Sequence, residues 1–270
     1  MRMEPHFNQV AAGFSEKALV YDAFGENHTN LTRMRGKVYR HILRYLREGD
    51  RILEINAGTG QDAAFFAGRG YRVHATDLAP GMVAAIAEKS ARRHLQGRLT
   101  VQQVSFTCLE QVDNPPYQYL YSNFGGLNCV ADLRGVTDQL PAVLAPGGRL
   151  TWVIMPPVCP WDLAFLLTKE PGKAFRRVRP GGTLAHVGGA SFQVNYFTPG
   201  QVLRALGPDF RLLRLEGLSI LTPPADHKGF AAGHPRLFSA LAWLDDRLAT
   251  LPPFNGWGDF FILTAEYSPQ

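Results

Sequence analysis

A chain of 270 residues, 46% hydrophobic and 19% charged, can bury a sizeable core as one large domain or as one domain with a cap. Its formal net charge of +5 is spread over Arg33/Arg35, Arg92/Arg93 and Arg176/Arg177/Arg179, not gathered with aromatics on one face as in nucleic-acid binders. No apolar run reaches the ~18–20 residues that a bilayer span requires, so neither a nucleic acid nor a membrane is an expected partner.

The cysteines Cys108, Cys129 and Cys159 match no zinc spacing and no disulfide framework, which suits a reducing compartment. The opening Met1-Arg-Met-Glu-Pro-His is polar, unlike a signal core, and the expected location is the cytoplasm. The composition leaves the oligomeric state open, a homodimer included.

Residues 1–48 read as a helical segment of their own. Val38, Ile42 and Leu46 stand at i, i+4 and i+8 in the stretch Met34 to Leu46, which predicts an amphipathic helix packed on a sheet. Before it, Tyr21, Phe24 and His28 are candidates for the mouth of a substrate site. Packing and surface roles compete with that assignment for each of them.

The next stretch, Arg51 to Ala63, organises the chain. Ile52 to Ile55 is a short apolar run of the kind buried in a parallel sheet, and it breaks into a turn holding Gly58 and Gly60. A helix-favouring segment, Asp62 to Gly68, follows at once. Glycines lack Cβ, so a ligand can lie against bare main chain, and the helix start presents unpaired N–H groups to it. Gly58-x-Gly60-x-x-Ala63, with Asp77 further on, also fits the dinucleotide fingerprint. The strand Tyr71–Asp77 alternates and ends in an acid that can accept hydrogen bonds from vicinal hydroxyls. A helix follows over Ala79–Arg93, and Arg98–Val104 is the third strand.

Asn114-Pro-Pro-Tyr117 spells a signature of amino-group methyltransferases, but no strand pattern precedes it. The strand follows it, Tyr117 to Asn123, so the motif reads as a loop at the wrong end of the sheet, and two prolines suit a loop. A helix is expected over Cys129–Leu144, then an apolar strand after Ala145-Pro-Gly-Gly148. Residues 156–196 are an insertion rich in Pro, Gly and Arg that should roof the site. Trp161 is a candidate apolar wall there, Arg176 or Arg177 a candidate partner for a substrate carboxylate or phosphate, and His186 a candidate base. Thr198-Pro199 caps a helix through Leu206, and Phe210–Leu218 and Asp259–Tyr267 are the last strands. Asp226, His227 and His234 match no metal spacing, and no metal is expected.

Glu54 followed by glycines at 58 and 60 resembles motif I of the class I S-adenosylmethionine (SAM)-dependent methyltransferases, with Asn56 in place of the first glycine. Asn tolerates a left-handed backbone, so the substitution is compatible with the motif. In dinucleotide-binding folds the first glycine follows the strand directly, whereas here it comes four residues after Glu54. The Leu-Ala-Pro-Gly-Gly148 phrase, Asn123-Phe-Gly-Gly-Leu-Asn128, Tyr196-Phe-Thr-Pro199 and the Phe7…Tyr21-Asp22 opening resemble the small-molecule members of that family.

The resemblance implies an α/β, Rossmann-like doubly wound sheet in the order 3-2-1-4-5-7-6, mostly parallel with an antiparallel last strand. It implies a helical lid over 1–48 and a SAM-binding domain over 49–270 carrying a cap at about 156–196. SAM would be held by Glu54, Asn56, Ala57, Gly58 and Gly60, with Asp77 on the ribose and Leu78 and Met82 flanking the adenine. Ser105 and Phe106 would stand where relatives carry an adenine-binding acid, and Asn123 and Phe124 near the methyl group. His28, Tyr21 and His186 are the candidate catalytic bases, with Tyr196 a further one. Trp161, Arg176 and Tyr196 are the candidate acceptor contacts. The implied activity is methyl transfer to an O, N or C atom of a small molecule, as in natural-product modification. An NAD-linked oxidoreductase and a methyltransferase of RNA or protein are the alternatives.

Overall fold

A computed structural model describes residues 5–25, 28–163, 166, 171–179 and 181–269. The strands are β1 (Arg51–Ile55), β2 (Arg72–Asp77), β3 (Leu99–Gln103), β4 (Tyr117–Ser122), β5 (Leu144–Ile154), β6 (Thr183–Val187), β7 (Ala190–Val194), β8 (Phe210–Leu218) and β9 (Phe260–Tyr267). Seven of them form one sheet in the order β3-β2-β1-β4-β5-β9-β8, and β6 pairs with β7 in a separate hairpin. With that hairpin set aside, β8 and β9 are the sixth and seventh strands, and the order is the expected 3-2-1-4-5-7-6. The ladders from β3 to β5 are parallel, and β9 runs antiparallel to β5 and β8.

The sequence of β1 explains its central place. Every residue from Ile52 to Ile55 is buried, as a parallel strand covered on both faces requires. Leu53 and Ile55 point into one core layer with Leu120, Trp152 and Leu263. Ile52 points into the other, with Val73, Tyr119 and Ile262. On this second face α2 (Thr29–Leu43), α3 (Gln61–Ala67) and α4 (Pro80–Ser90) fill the core, while α1 (Pro5–Gly25) packs against α4 and the β6–β7 hairpin. Met34, Val38 and Ile42 of α2 are fully buried, which carries out the predicted amphipathic pattern.

Two sequence expectations change. The single helix over Cys129–Leu144 is instead a 3-10 turn, Gly126–Cys129, and two one-turn helices, Arg134–Thr137 and Leu140–Val143. Pro141 has no N–H to continue a helix and starts a new one at its first turn. The insertion, for which the sequence reading gave no secondary structure, contains the β6–β7 hairpin. It rests on α1 at Gly13, where an added Cβ would meet the Val187 carbonyl oxygen at 2.4 Å. The Asn114-Pro-Pro-Tyr117 segment is a loop entering β4, as expected. Arg51 donates to the Asn114 carbonyl and stacks 4.9 Å from the Tyr117 ring centroid, at the edge opposite the strand C-termini.

Buried charges pin the insertion to the sheet. Asp162 accepts from both Arg176 and Arg177 (each Nε at 3.0 Å), and Arg177 reaches on to Asp259 (2.8 Å), just before β9. Arg177 and Asp162 side chains are each 4% exposed, so either one alone would leave an uncompensated buried charge. Asp162→Ala is therefore expected to lower the unfolding free energy by about 3 kcal/mol in a urea titration. A loss below ~1 kcal/mol would place this pair in solvent.

Candidate functional site

The turn after β1 has three left-handed residues, Asn56 (φ 57°), Gly58 (φ 56°) and Gly60 (φ 73°). The reversal this produces turns main-chain N–H groups upward. Ala57 N–H donates to Thr76 (2.9 Å), and Gly58 N–H donates to Asp77 Oδ2 (2.8 Å). Asp77 Oδ1 accepts from Ala79 N–H (2.9 Å). The β1 turn and the β2 tip are thus tied through one carboxylate, and each of its oxygens keeps a second lone pair for a ligand. Burial pushes this carboxyl up to about 6, against the opposing pull of the Ala79, Gly58 and Leu78 N–H groups. A third turn interlocks from the other side. Asn56 Nδ2 donates to Ser122 Oγ (3.1 Å), and a Cβ at Gly126 would strike the Asn56 side chain at 2.6 Å.

Beneath this cradle is a buried polar cluster. Asp62 accepts from the Tyr39 hydroxyl (2.5 Å) and from Asn123 Nδ2 (2.8 Å), and Arg35 pairs with it at 3.3 Å. Glu54 lies beside it, fully buried, and its Oε2 has no hydrogen-bond partner among the described residues. Burial first, and the neighbouring Asp62 charge second, hold the Glu54 carboxyl well above the usual carboxylate range.

Above the cradle lies a cavity of about 250 Å³ bounded by Asn56, Gly58, Asp77, Met82 and Asn123 below, α1 on one side and the β6–β7 hairpin on another. Phe7, Leu78 and Cys129 also border an adjoining cleft of about 810 Å³, which continues past Ser105, Asp132 and Asn195. Helix α1 is fastened over the site at its far end. Asp22 accepts from Thr59 Oγ1 (2.5 Å) and from Lys89 Nζ (2.7 Å), and Lys89 also donates to the Thr59 carbonyl (2.9 Å). Burial would raise the Asp22 pKa, but Lys89 and Thr59 outweigh it and the net shift is downward.

The residues expected to hold a cofactor fall largely here. Asn56, Gly58, Asp77, Leu78, Met82, Phe106, Asn123 and Phe124 line the cavity, and Ser105 lines the cleft. Glu54, Ala57 and Gly60 support it from behind; a Cβ at Gly60 would meet Ile86 at 2.8 Å. The expected catalytic and acceptor residues do not converge. His28 caps α2, its Nδ1 accepting from Leu31 N–H (3.2 Å) and its Nε2–H donating to the Ala225 carbonyl (2.5 Å), so both ring nitrogens are committed. His186 is exposed on the outer face of β6, bonded to Ser191 (2.7 Å). Trp161 packs on His227 and Phe230 and donates to the Leu221 carbonyl. Arg176 pairs with Asp162, and Tyr196 sits beneath the Arg177 guanidinium at 5.4 Å. None of these five borders the cavity. The Tyr21 side chain lies outside the described residues. Asp226, His227 and His234 belong to no cluster of three potential metal ligands among the described residues, and no described helix is long and apolar enough to cross a membrane.

Sequence reading missed Phe14, Met155, Val187, Phe192 and Val194 in the cavity wall. A signal for three of them, Val187, Phe192 and Val194, existed: Gly188-Gly189 between two alternating runs is a hairpin pattern.

Residues 52–148, which carry the whole cradle, match the family model described as a methyltransferase domain. This segment is similar to known methyltransferase domains, and the sheet around it has the fold of SAM-dependent methyltransferases. Over 103 residues it is 35% identical to a demethylmenaquinone methyltransferase of Clavibacter sepedonicus, a match covering 38% of this chain and 40% of that protein. The chain therefore spans well under half the length of that curated relative. In fold, the methyltransferase domain and its flanks resemble the 1,6-didemethyltoxoflavin-N1-methyltransferase of Burkholderia thailandensis, solved with S-adenosylhomocysteine (SAH) bound. That likeness has a TM-score of 0.55 and 16% identity, and covers 100% of this chain and 93% of the other. The [4+2]-cyclase SpnF shares the fold at TM-score 0.53 and 19% identity, with 84% and 77% covered.

The site fits SAM. Its main chain is bare at Gly58, a carboxylate stands at the β2 tip, and an orphaned carboxyl oxygen lies under the turn. An ionised carboxylate accepts hydroxyls at both oxygens, whereas protonation turns one of them into a donor. SAH affinity measured by titration calorimetry is accordingly expected to weaken as pH falls through about 6, where Asp77 gains its proton. Asp77→Asn should bind more weakly and lose that pH dependence; an unchanged profile in the variant would remove Asp77 from the site.

Proposed function

We propose that the protein transfers the methyl group of SAM to an O, N or C atom of a small molecule by in-line displacement. The observation that carries this reading is the cradle of Asn56, Gly58 and Asp77, closed over by α1 and by the hairpin into one cavity. When bound, SAM supplies an electrophilic methyl group already activated on a sulfonium. What this chain contributes is position. Asp77 receives the ribose, Leu78 and Met82 flank the adenine with Ser105 and Phe106 beside it, and Asn56 and Asn123 face the methionine end. Alignment of the reacting atoms can account for ~7–11 kcal/mol of barrier reduction.

On this reading residues 1–48 are a lid, 49–270 the catalytic domain, and 156–196 the acceptor cap. Enclosure by lid and cap favours a small acceptor over RNA or protein, whose bulk needs an open face. Three free cysteines suit a cytoplasmic location. An NAD-linked activity is disfavoured by the spacing of the turn, in which the first glycine, Gly58, comes three residues after the end of β1 where a dinucleotide fold has strand and glycine adjoining.

Calorimetry with SAH and with NAD separates the two. SAH is expected to bind in the micromolar range and NAD not at all. Tight NAD binding with no response to SAH would overturn the proposal.

A further inference from the structure

The cavity wall supplied by the insertion has a chemical character that narrows the acceptor. In β6 the side chains alternate: Ala185 and Val187 line the cavity, while Leu184 and His186 are exposed on the other face. In β7, Phe192 and Val194 line it. Phe14 of α1 meets Phe192 with ring centroids 5.7 Å apart and planes inclined at 39°, and Met155 at the end of β5 completes the wall. Every side chain here is apolar. Two aromatic faces at an oblique angle suit a ring held at van der Waals distance.

Charge points the same way. Among the described residues no Lys, Arg or His lines the cavity or the adjoining cleft. The arginines of the insertion that might have met an anion are turned elsewhere, Arg176 and Arg177 onto Asp162 and Asp259, and Arg179 onto the Gly172 carbonyl. The titratable groups bordering the cavity are Asp77 and Cys129. Asp77 belongs to the cofactor side, and burial pushes the Cys129 thiol up to about 12, far from a neutral-pH base. Burying an anion here would strip its water with no cation in return.

We propose that the methyl acceptor is an uncharged, apolar, ring-bearing small molecule gripped between Phe14 and the inner face of the β6–β7 hairpin, and that no residue of this wall deprotonates it. The proposal rests on the SAM reading above. A lone pair on the acceptor atom forms the new bond to the methyl carbon as the carbon–sulfur bond breaks, and that bond's electrons stay on sulfur as the neutral thioether. Any proton on the acceptor atom passes to water after the new bond has formed, so turnover does not follow the titration of any residue of this wall.

The test uses the full chain loaded with SAH and three probes of one size: 1-naphthol, 1-naphthoate and 1-naphthyl phosphate, titrated calorimetrically at pH 7. Naphthol is expected to bind at least about tenfold more tightly than either anion. Phe192→Ala should weaken naphthol about tenfold and leave SAH affinity within about twofold, which also reports a folded protein. Val187→Lys should raise naphthoate affinity relative to naphthol. If SAH binds but the anions bind as well as naphthol, or naphthol does not bind, the acceptor proposal is wrong while the SAM reading stands. If SAH itself fails to bind, both fall together.

Discussion

The site depends on one contact, the Gly58 N–H donating to the Asp77 carboxylate. It requires the chain to reverse within three residues of β1, and that reversal requires left-handed backbone at 56, 58 and 60. Glycine supplies this freely at two positions and Asn56 tolerates it at the third. Once the reversal is made, α3 starts from the turn, β2 is registered beside β1, and the Asp77 carboxylate is held at the sheet's C-terminal edge. A doubly wound sheet binds ligands at that edge, where strand order reverses between β1 and β4.

Around that contact, acids act as fasteners. Asp22 ties α1 to the cradle through Thr59 and Lys89, and Asp162 ties the insertion to Asp259 through Arg177. Asp245 accepts from Leu221 N–H (2.6 Å) and the Thr222 hydroxyl (2.6 Å), and pairs with Arg33 of α2 at 3.5 Å. Each carboxylate joins segments far apart in sequence, so α1, the insertion and the C-terminal excursion are tied to the sheet and its cradle. The fasteners differ in exposure. Asp22 is 44% exposed at its side chain, whereas Asp162 is 4% exposed, so the α1 fastening is the weaker one.

Local features were legible in the sequence and long-range ones were not. The strand–turn–helix at 51–67, the acid ending β2 and the displaced Asn114-Pro-Pro-Tyr117 loop all follow from short-range pattern. His28, a candidate base and substrate-mouth residue on sequence, is a helix cap, a place usually taken by Ser, Thr, Asp or Asn, and its second partner, Ala225, is 197 residues away. Arg176 and Arg177 looked available to an anion because nothing local announces Asp162 as a shared acceptor, or Asp259 at a separation of 82 residues. The Cys129–Leu144 stretch has helical composition, yet Pro141 divides it. The hairpin at 183–194 has a local signal, the Gly188-Gly189 turn between two alternating runs. An apolar pattern there carries more about the acceptor than the charges do.

The most direct test of the account is a crystal structure of the protein with SAH. The account predicts density along the 56–60 turn, ribose hydroxyls on the free lone pairs of Asp77, and the sulfur facing Phe14 and the hairpin. Density that leaves this turn bare, or a nucleotide pyrophosphate seated on it, would contradict the account.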